Sequence, residues 1–277
     1  MKTLNFKGVG GLNIFARTWR PEGQPVRAVV VISHGVLSHS GYYEWAAQQP
    51  VAAGFVVYAI DHRGRGKSEG ERWYVESVDE YVADLRTLIQ LTKGEEPGLP
   101  TFLLGHSAGG VIACSYALEH QAEIAGLICE SFAFQVYAPD LVLAIVKGLS
   151  HVAPHVHVLK LPIEEFSRDP KAVEAMKSDP LLTGEVQPTT TVAALVRADE
   201  RLDKEFGLIT LPVMILHGTA DKVTKPGGSQ KFFDNVGSTD KTLKLYEGHA
   251  HDLLNDLGKE GVIADIRGWI EARLPAR

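Results

Sequence analysis

A serine, an aspartate and two histidines stand in three glycine-bearing segments of this chain, and their types suit nucleophilic attack on a carbonyl carbon. Ser107 lies in Gly105-His106-Ser107-Ala108-Gly109, after the apolar run Thr101 to Leu104 and before a run with Val111, Ile112, Ser115 and Leu118 at helical spacing. Gly-x-Ser-x-Gly between strand and helix is the pattern of a nucleophile elbow. There a sharp turn has no room for side chains at the glycines, and the strained backbone pushes the hydroxyl into the open. A hydroxyl is a weak nucleophile at neutral pH, so it needs a histidine to take its proton and an acid to orient that histidine. Asp221 follows the apolar run Val213 to His217 through Gly218-Thr219-Ala220, at the C-terminal end of a strand, where open α/β sheets place their sites. Beyond Thr242 to Tyr246, the loop Glu247-Gly248-His249-Ala250-His251-Asp252 offers two candidate bases, His249 and His251. The resulting chain order is serine, acid, histidine.

Elements that position these residues are legible as short β-branched runs at Ala28 to Ser33, Phe55 to Ile60, Phe102 to Gly105, Gly126 to Cys129 and Val213 to His217. Helical patterns separate them, notably Ser77 to Lys93, the stretch after Ser107 and Lys259 to Arg273, so the chain predicts a mostly parallel, doubly wound α/β sheet. Val9-Gly10-Gly11-Leu12 reads as a hairpin turn. From Tyr137 to Phe206 the alternation stops, and prolines at 139, 154, 162, 170, 180 and 188 divide short helical segments. The organisation expected is a core of residues 1–136 and 207–277 with a helical cap inserted at 137–206.

Composition narrows the function classes. With 277 residues, 45% of them hydrophobic, the chain can bury a large core, and a net charge of −6 without a basic block gives no footprint for nucleic acid. No window approaches the roughly 18 apolar residues needed to span a bilayer, and the N-terminus lacks the apolar region of a signal peptide, so a cytoplasmic protein is expected. Cys114 and Cys129 read as small buried hydrophobes. His34 and His217, at strand ends beside glycines, read as hydrogen-bonding loop backbone, and His106 as pinned by packing. His151, His155 and His157 lack partner carboxylates or thiolates at metal-ligand spacing, so no metal is assigned there.

These segments resemble the α/β-hydrolase superfamily, and within it the monoacylglycerol lipase and lysophospholipase group. The resemblance is carried by His34-Gly35-Val36-Leu37-Ser38-His39, Asp61-His62-Arg63-Gly64-Arg65-Gly66-Lys67-Ser68, the elbow, Ser178-Asp179-Pro180-Leu181, Leu216-His217-Gly218-Thr219-Ala220-Asp221 and Gly248-His249-Ala250-His251-Asp252-Leu253-Leu254-Asn255. It implies an α/β-hydrolase fold and a triad of Ser107, Asp221 and His251, since the family's Gly-x-x-His pattern selects His251 over His249. It implies an oxyanion hole from the backbone N–H groups of Val36 and Ala108, and a loop-stabilising role for Asp61. The family's oxyanion segment usually reads His-Gly-x-Gly-Glu-His; here Leu37 and Ser38 replace the second glycine and the glutamate. Glu130 stands where the resemblance leads one to expect a small neutral residue, so it either faces the acyl-glycerol pocket, as a substrate-binding candidate, or pairs in the cap. The apolar run Leu141 to Val146 is expected to line an acyl tunnel, with Leu141 and Ile145 as its candidates, and to touch lipid aggregates transiently. The implied activity is cofactor-free hydrolysis of single-chain lipid esters such as monoacylglycerols. Alternatives are a general short-chain carboxylesterase, a lysophospholipase, or a ligand-binding homologue without catalysis.

Overall fold

The computed structural model describes residues 1–275. A hairpin of β1 (Lys2–Lys7) and β2 (Asn13–Trp19) turns at Gly10 and Gly11 and leads to β3 (Ala28–Ser33), α1 (Glu44–Ala52), β4 (Phe55–Ile60), α2 (Val78–Glu95), β5 (Thr101–His106), α3 (Ala108–His120) and β6 (Gly126–Glu130). The next stretch holds α4 (Asp140–Leu149), β7 (His157–Leu159), α5 (Pro170–Ser178), β8 (Gln187–Pro188) and α6 (Thr189–Glu205). The chain then returns through β9 (Val213–Gly218), α7 (Pro226–Asn235), β10 (Lys241–Tyr246) and α8 (Lys259–Glu271).

Eight strands form one sheet in the order β1-β2-β4-β3-β5-β6-β9-β10, antiparallel only at β1/β2 and β2/β4. The central strands are β-branched and apolar at successive positions because both faces are covered. In β3, Val29 and Val31 pack with Leu85 of α2 and Val111 of α3, while Val30 and Ile32 pack with Val262 and Ile266 of α8. That alternation is the two-residue period of a strand serving two cores.

Parallel pairing puts the C-terminal ends of β3, β5, β6 and β9 side by side, so loops from four distant segments meet at one edge. Strands β5 and β6 each run one residue beyond the apolar pattern, which pairs His106 with Glu130 in register. Residues 137–206 hold α4, α5 and α6 together with a short β7/β8 pair, whose β7 residues are exposed and carry no core pattern. Its prolines start helices more often than they break structure: Pro139 and Pro188 cap α4 and α6, and Pro170 begins α5.

Packing of α3 against the sheet depends on Gly109, where an added Cβ would collide with the carbonyl oxygens of Ser33 and His34. Neither is a flexible neighbour. Gly109→Ala is therefore expected to lower unfolding stability by about 1–3 kcal/mol, read as a fall in the urea midpoint at unchanged slope.

Candidate active site

Ser107 joins β5 to α3 with φ +55° and ψ −121°, a backbone conformation that an L-residue adopts only under constraint. Its N–H donates to the carbonyl of Glu130 at 2.9 Å, and its own carbonyl accepts the N–H groups of Gly110 at 2.9 Å and Ala133 at 3.3 Å. Gly35 lies against it, so close that a Cβ there would come within 2.8 Å of the Ser107 Cβ. The serine opens onto a cavity of about 870 Å³ walled by Val111, Phe134, Val142, Leu143 and Leu195.

Asp221 sits in the turn after β9. Its Oδ1 accepts the N–H groups of Val223 at 2.7 Å and Thr224 at 2.9 Å, and its Oδ2 accepts from the Thr224 hydroxyl at 2.9 Å and from His251 Nδ1 at 2.7 Å. His217 Nε2 approaches the same oxygen at 3.0 Å. Burial alone would raise the carboxyl's pKa, but the two histidines more than offset it and hold Asp221 far below the usual carboxylate range. With Nδ1 committed to Asp221, the Nε2 of His251 is buried without a partner among the described residues, as a base awaiting a hydroxyl proton would be. The His251 carbonyl accepts from Ser131 Oγ at 2.5 Å, and its ring meets Phe166 edge-on at 5.0 Å. His249 is elsewhere: its Nδ1 lies 3.8 Å from Asp256, and burial lowers its pKa.

The N–H groups of Val36 and Ala108 have no acceptor among the described residues, and the second stands at the N-terminus of α3, where the helix dipole favours negative charge. The loop carrying Val36 is fixed by a neutral histidine. His34 Nδ1 donates to Gly35 O at 2.7 Å and Nε2 accepts the His62 N–H at 3.1 Å, while burial pushes its pKa down to about 3. Asp61 holds the same region by accepting the N–H groups of Ser40 at 2.7 Å and Lys67 at 2.8 Å.

Three expectations require correction. Glu130 does not line the cavity; it is fully buried, with Oε1 accepting the Leu254 N–H at 3.2 Å. Leu141 and Ile145 do not line the cavity either, because α4 turns them outward, leaving them 72% and 59% exposed, while Val142, Leu143 and Val146 face in. His217 bonds not to loop backbone but to Asp221 and, through Nδ1, to Ser229 Oγ at 2.7 Å. Its spacing of four residues before Asp221, across a turn that folds back, was the available signal. The histidines at 151, 155 and 157 are not gathered: His155 faces Glu71 at 2.7 Å and His157 packs edge-on against Trp73.

Behind His251, the ligand atoms of His106, Glu130 and Asp252 lie within 4.8 Å of one another, a group with the donor set for a cation. Protonation satisfies it more simply. Burial, then the charge of Asp252, raises Glu130 well above the carboxylate range, and burial lifts Asp252 to about 6. Burial and the neighbouring His251 keep His106 neutral, with Nδ1 3.1 Å from the Tyr43 hydroxyl.

A family model described as "Serine aminopeptidase, S33" matches residues 24–258. The chain belongs to this α/β-hydrolase family. A monoacylglycerol lipase of Mycolicibacterium smegmatis is 35% identical over 272 residues, 98% of this chain and 97% of the relative. A monoglyceride lipase of Rattus norvegicus is 33% identical over 269 residues, covering 95% and 88%. The crystal structure of a monoacylglycerol lipase from Paleococcus ferrophilus superposes with a TM-score of 0.85 at 31% identity, covering 94% of this chain and 99% of that one. This α/β-hydrolase is accordingly an ester hydrolase, and among its described residues no helix is long and apolar enough to cross a membrane.

The raised Glu130 has a measurable consequence. A carboxyl whose folded pKa exceeds its unfolded value binds protons more tightly when folded, so its contribution is favourable at low pH and is lost as pH rises through the folded value. Glu130→Gln mimics the neutral acid, and it is expected to unfold at higher temperature than the parent at pH 9 while matching it at pH 5. Glu130→Ala, which strands the Leu254 N–H, is expected to cost about 1–3 kcal/mol at both.

Proposed function

We propose that this chain hydrolyses monoacylglycerols through an acyl-enzyme on Ser107, with His251 as base and Asp221 as its orienting acid. The observation that carries the reading is the 2.7 Å contact of His251 Nδ1 with Asp221, which leaves Nε2 free while Ser107 opens onto an apolar cavity. His251 takes the Ser107 proton as the alkoxide attacks the ester carbonyl, and the Val36 and Ala108 N–H groups receive the oxyanion. A single such donor is worth about 3–4 kcal/mol of barrier, so the loop after β3 matters as much as the triad. His251 then protonates the departing glycerol, and water repeats the cycle to release the fatty acid.

Substrate class is supported by the relatives named as monoacylglycerol or monoglyceride lipases and by the cavity. Its volume falls within the roughly 300–1,000 Å³ range that encloses one small-molecule ligand. Residues 137–206 act as a cap over the serine: α4 and α6 supply apolar wall on one side of Ser107, and the outer face of α4 presents Leu141 and Ile145 to solvent. That outward stripe, continued by Val152 and Val156, suits brief contact with a lipid aggregate.

Ser107→Ala is expected to lower kcat by about 10⁴-fold or more with the fold retained, and a fluorophosphonate to label Ser107 in the parent. His251→Ala should match that loss while His249→Ala keeps most activity; an active His251→Ala enzyme would remove the base assignment. A chain-length profile on monoacylglycerols, p-nitrophenyl esters and lysophospholipids tests the substrate, and preference for lysophospholipids or short acyl esters would overturn it.

The two faces of α4 separate in a second experiment. Leu141→Ser with Ile145→Ser is expected to reduce turnover of micellar monoacylglycerol several-fold, about 1 kcal/mol, and to leave a monomeric short-chain ester untouched. Equal effects on both substrates would refute contact with the aggregate.

A further inference from the structure

Leu37 stands where the resembled oxyanion segment has its second glycine, yet it keeps a glycine-like backbone with φ +52°. For a residue with a Cβ that region costs about 1–2 kcal/mol, so surrounding contacts must hold it. Its side chain packs among Val36, Phe166 and Leu182, and its N–H donates to Glu185 Oε1 at 3.1 Å. Glu185 arrives from the cap, just ahead of α6, and is buried between two core loops. The same oxygen accepts from Gln187 Nε2 at 2.8 Å and from Arg65 Nη1, while Arg65 Nη2 donates to Gln187 Oε1 at 2.6 Å. Arg65 is also buried, in the loop after β4.

A buried ion pair of this kind contributes little net stability, because desolvation offsets the attraction; apolar side chains would seat the cap at least as firmly. What apolar side chains would not supply is an acceptor for the Leu37 N–H. The peptide units that carry the Val36 and Leu37 N–H groups are hinged at the Val36 Cα, so fixing the second restrains the first.

The geometry points to Glu185 as the positioning residue of the oxyanion loop: neutralised by Arg65, it holds Leu37 at positive φ and thereby aims the Val36 N–H. The inference rests on the reading of Val36 as an oxyanion donor. It makes catalytic competence depend on the cap half that carries Glu185 being seated.

Two double variants isolate the acceptor, because both remove the buried charge. Arg65→Met with Glu185→Gln keeps a carbonyl oxygen for Leu37, whereas Arg65→Met with Glu185→Leu does not. Both are assayed on an oxoester and its thionoester, whose larger sulfur is a poor occupant of an oxyanion hole. The parent and the glutamine double variant are expected to favour the oxoester strongly; the leucine double variant should lose about tenfold or more of that preference, mainly in kcat. Should the leucine variant fail to unfold cooperatively, Glu185→Ala in the same Arg65→Met background replaces it. Equal preferences in the two double variants, high or low, overturn the role of Glu185. A parent without preference overturns instead the oxyanion reading on which it rests.

Discussion

The constraint on which the site depends is the strained backbone at the C-terminal edge of the sheet. Four described non-glycine residues adopt positive φ, and three of them, Leu37, Ser107 and Ser131, follow β3, β5 and β6, which are adjacent strands. Each conformation costs on the order of 1–3 kcal/mol and persists only where neighbours over-determine it. The end of β6 does this for Ser107 and also ties in β9 and the His251 loop, while Leu37 is held from residues 137–206 by Glu185. The Glu130 carbonyl accepts the Ser107 N–H, the Ser131 N–H donates to the Leu216 carbonyl on β9, and Ser131 Oγ donates to the His251 carbonyl. Ser107, the strand before Asp221 and the His251 loop are thus referred to one short stretch of backbone, so sheet register sets the relative placement of the three residues.

Electrostatics at this edge follows from burial. Asp221, held far below the usual carboxylate range, receives five donor groups, two of them imidazoles. Glu130, as deeply buried but facing Asp252 in place of a cation, resolves the same problem by keeping its proton. As a neutral acid Glu130 anchors the His251 loop through the Leu254 N–H, and in the proposed reaction it would leave Asp221 as the carboxylate paired with the imidazolium.

What the sequence made legible was local. β-branched runs marked the central strands because burial on both faces leaves no alternative composition, and Gly105 and Gly109 marked the turn because backbone occupies the space a Cβ would need. Asp221 and the two candidate bases could be found because loops after parallel strands share an edge. The misplaced residues depend on the direction in which a side chain points, and for Glu130 on a partner far along the chain. Glu130 at a strand end points to either face according to a register that shifts with one added residue. Leu141 and Ile145 belong to an apolar run whose two sides no period distinguishes, since every position from 141 to 146 is hydrophobic. Glu185 carried no signal at all, because its partners Leu37 and Arg65 are more than a hundred residues away.

The cap divides into two halves held by different physics. Its second half is tied to the core by polar contacts that are largely buried: Arg168 to Asp256, His39 to Asp179 at 2.8 Å, Arg65 to Glu185, and Thr191 between Trp73 and Val75. Helix α4, in the cap's first half, has no such anchorage among the described residues. Helix α4 contains no buried residue, and its side-chain bonds run to other cap residues, as from Lys147 to Glu200 and from Arg197 to Ser150. Local opening costs least where few buried contacts are lost, so α4 is the part of the roof most easily displaced. On the proposed reading, an ester entering past α4 would meet a Val36 loop held by the half that stays. Access and preorganisation would then fall to separate ends of one insertion, so that displacing α4 would leave the Val36 N–H in place.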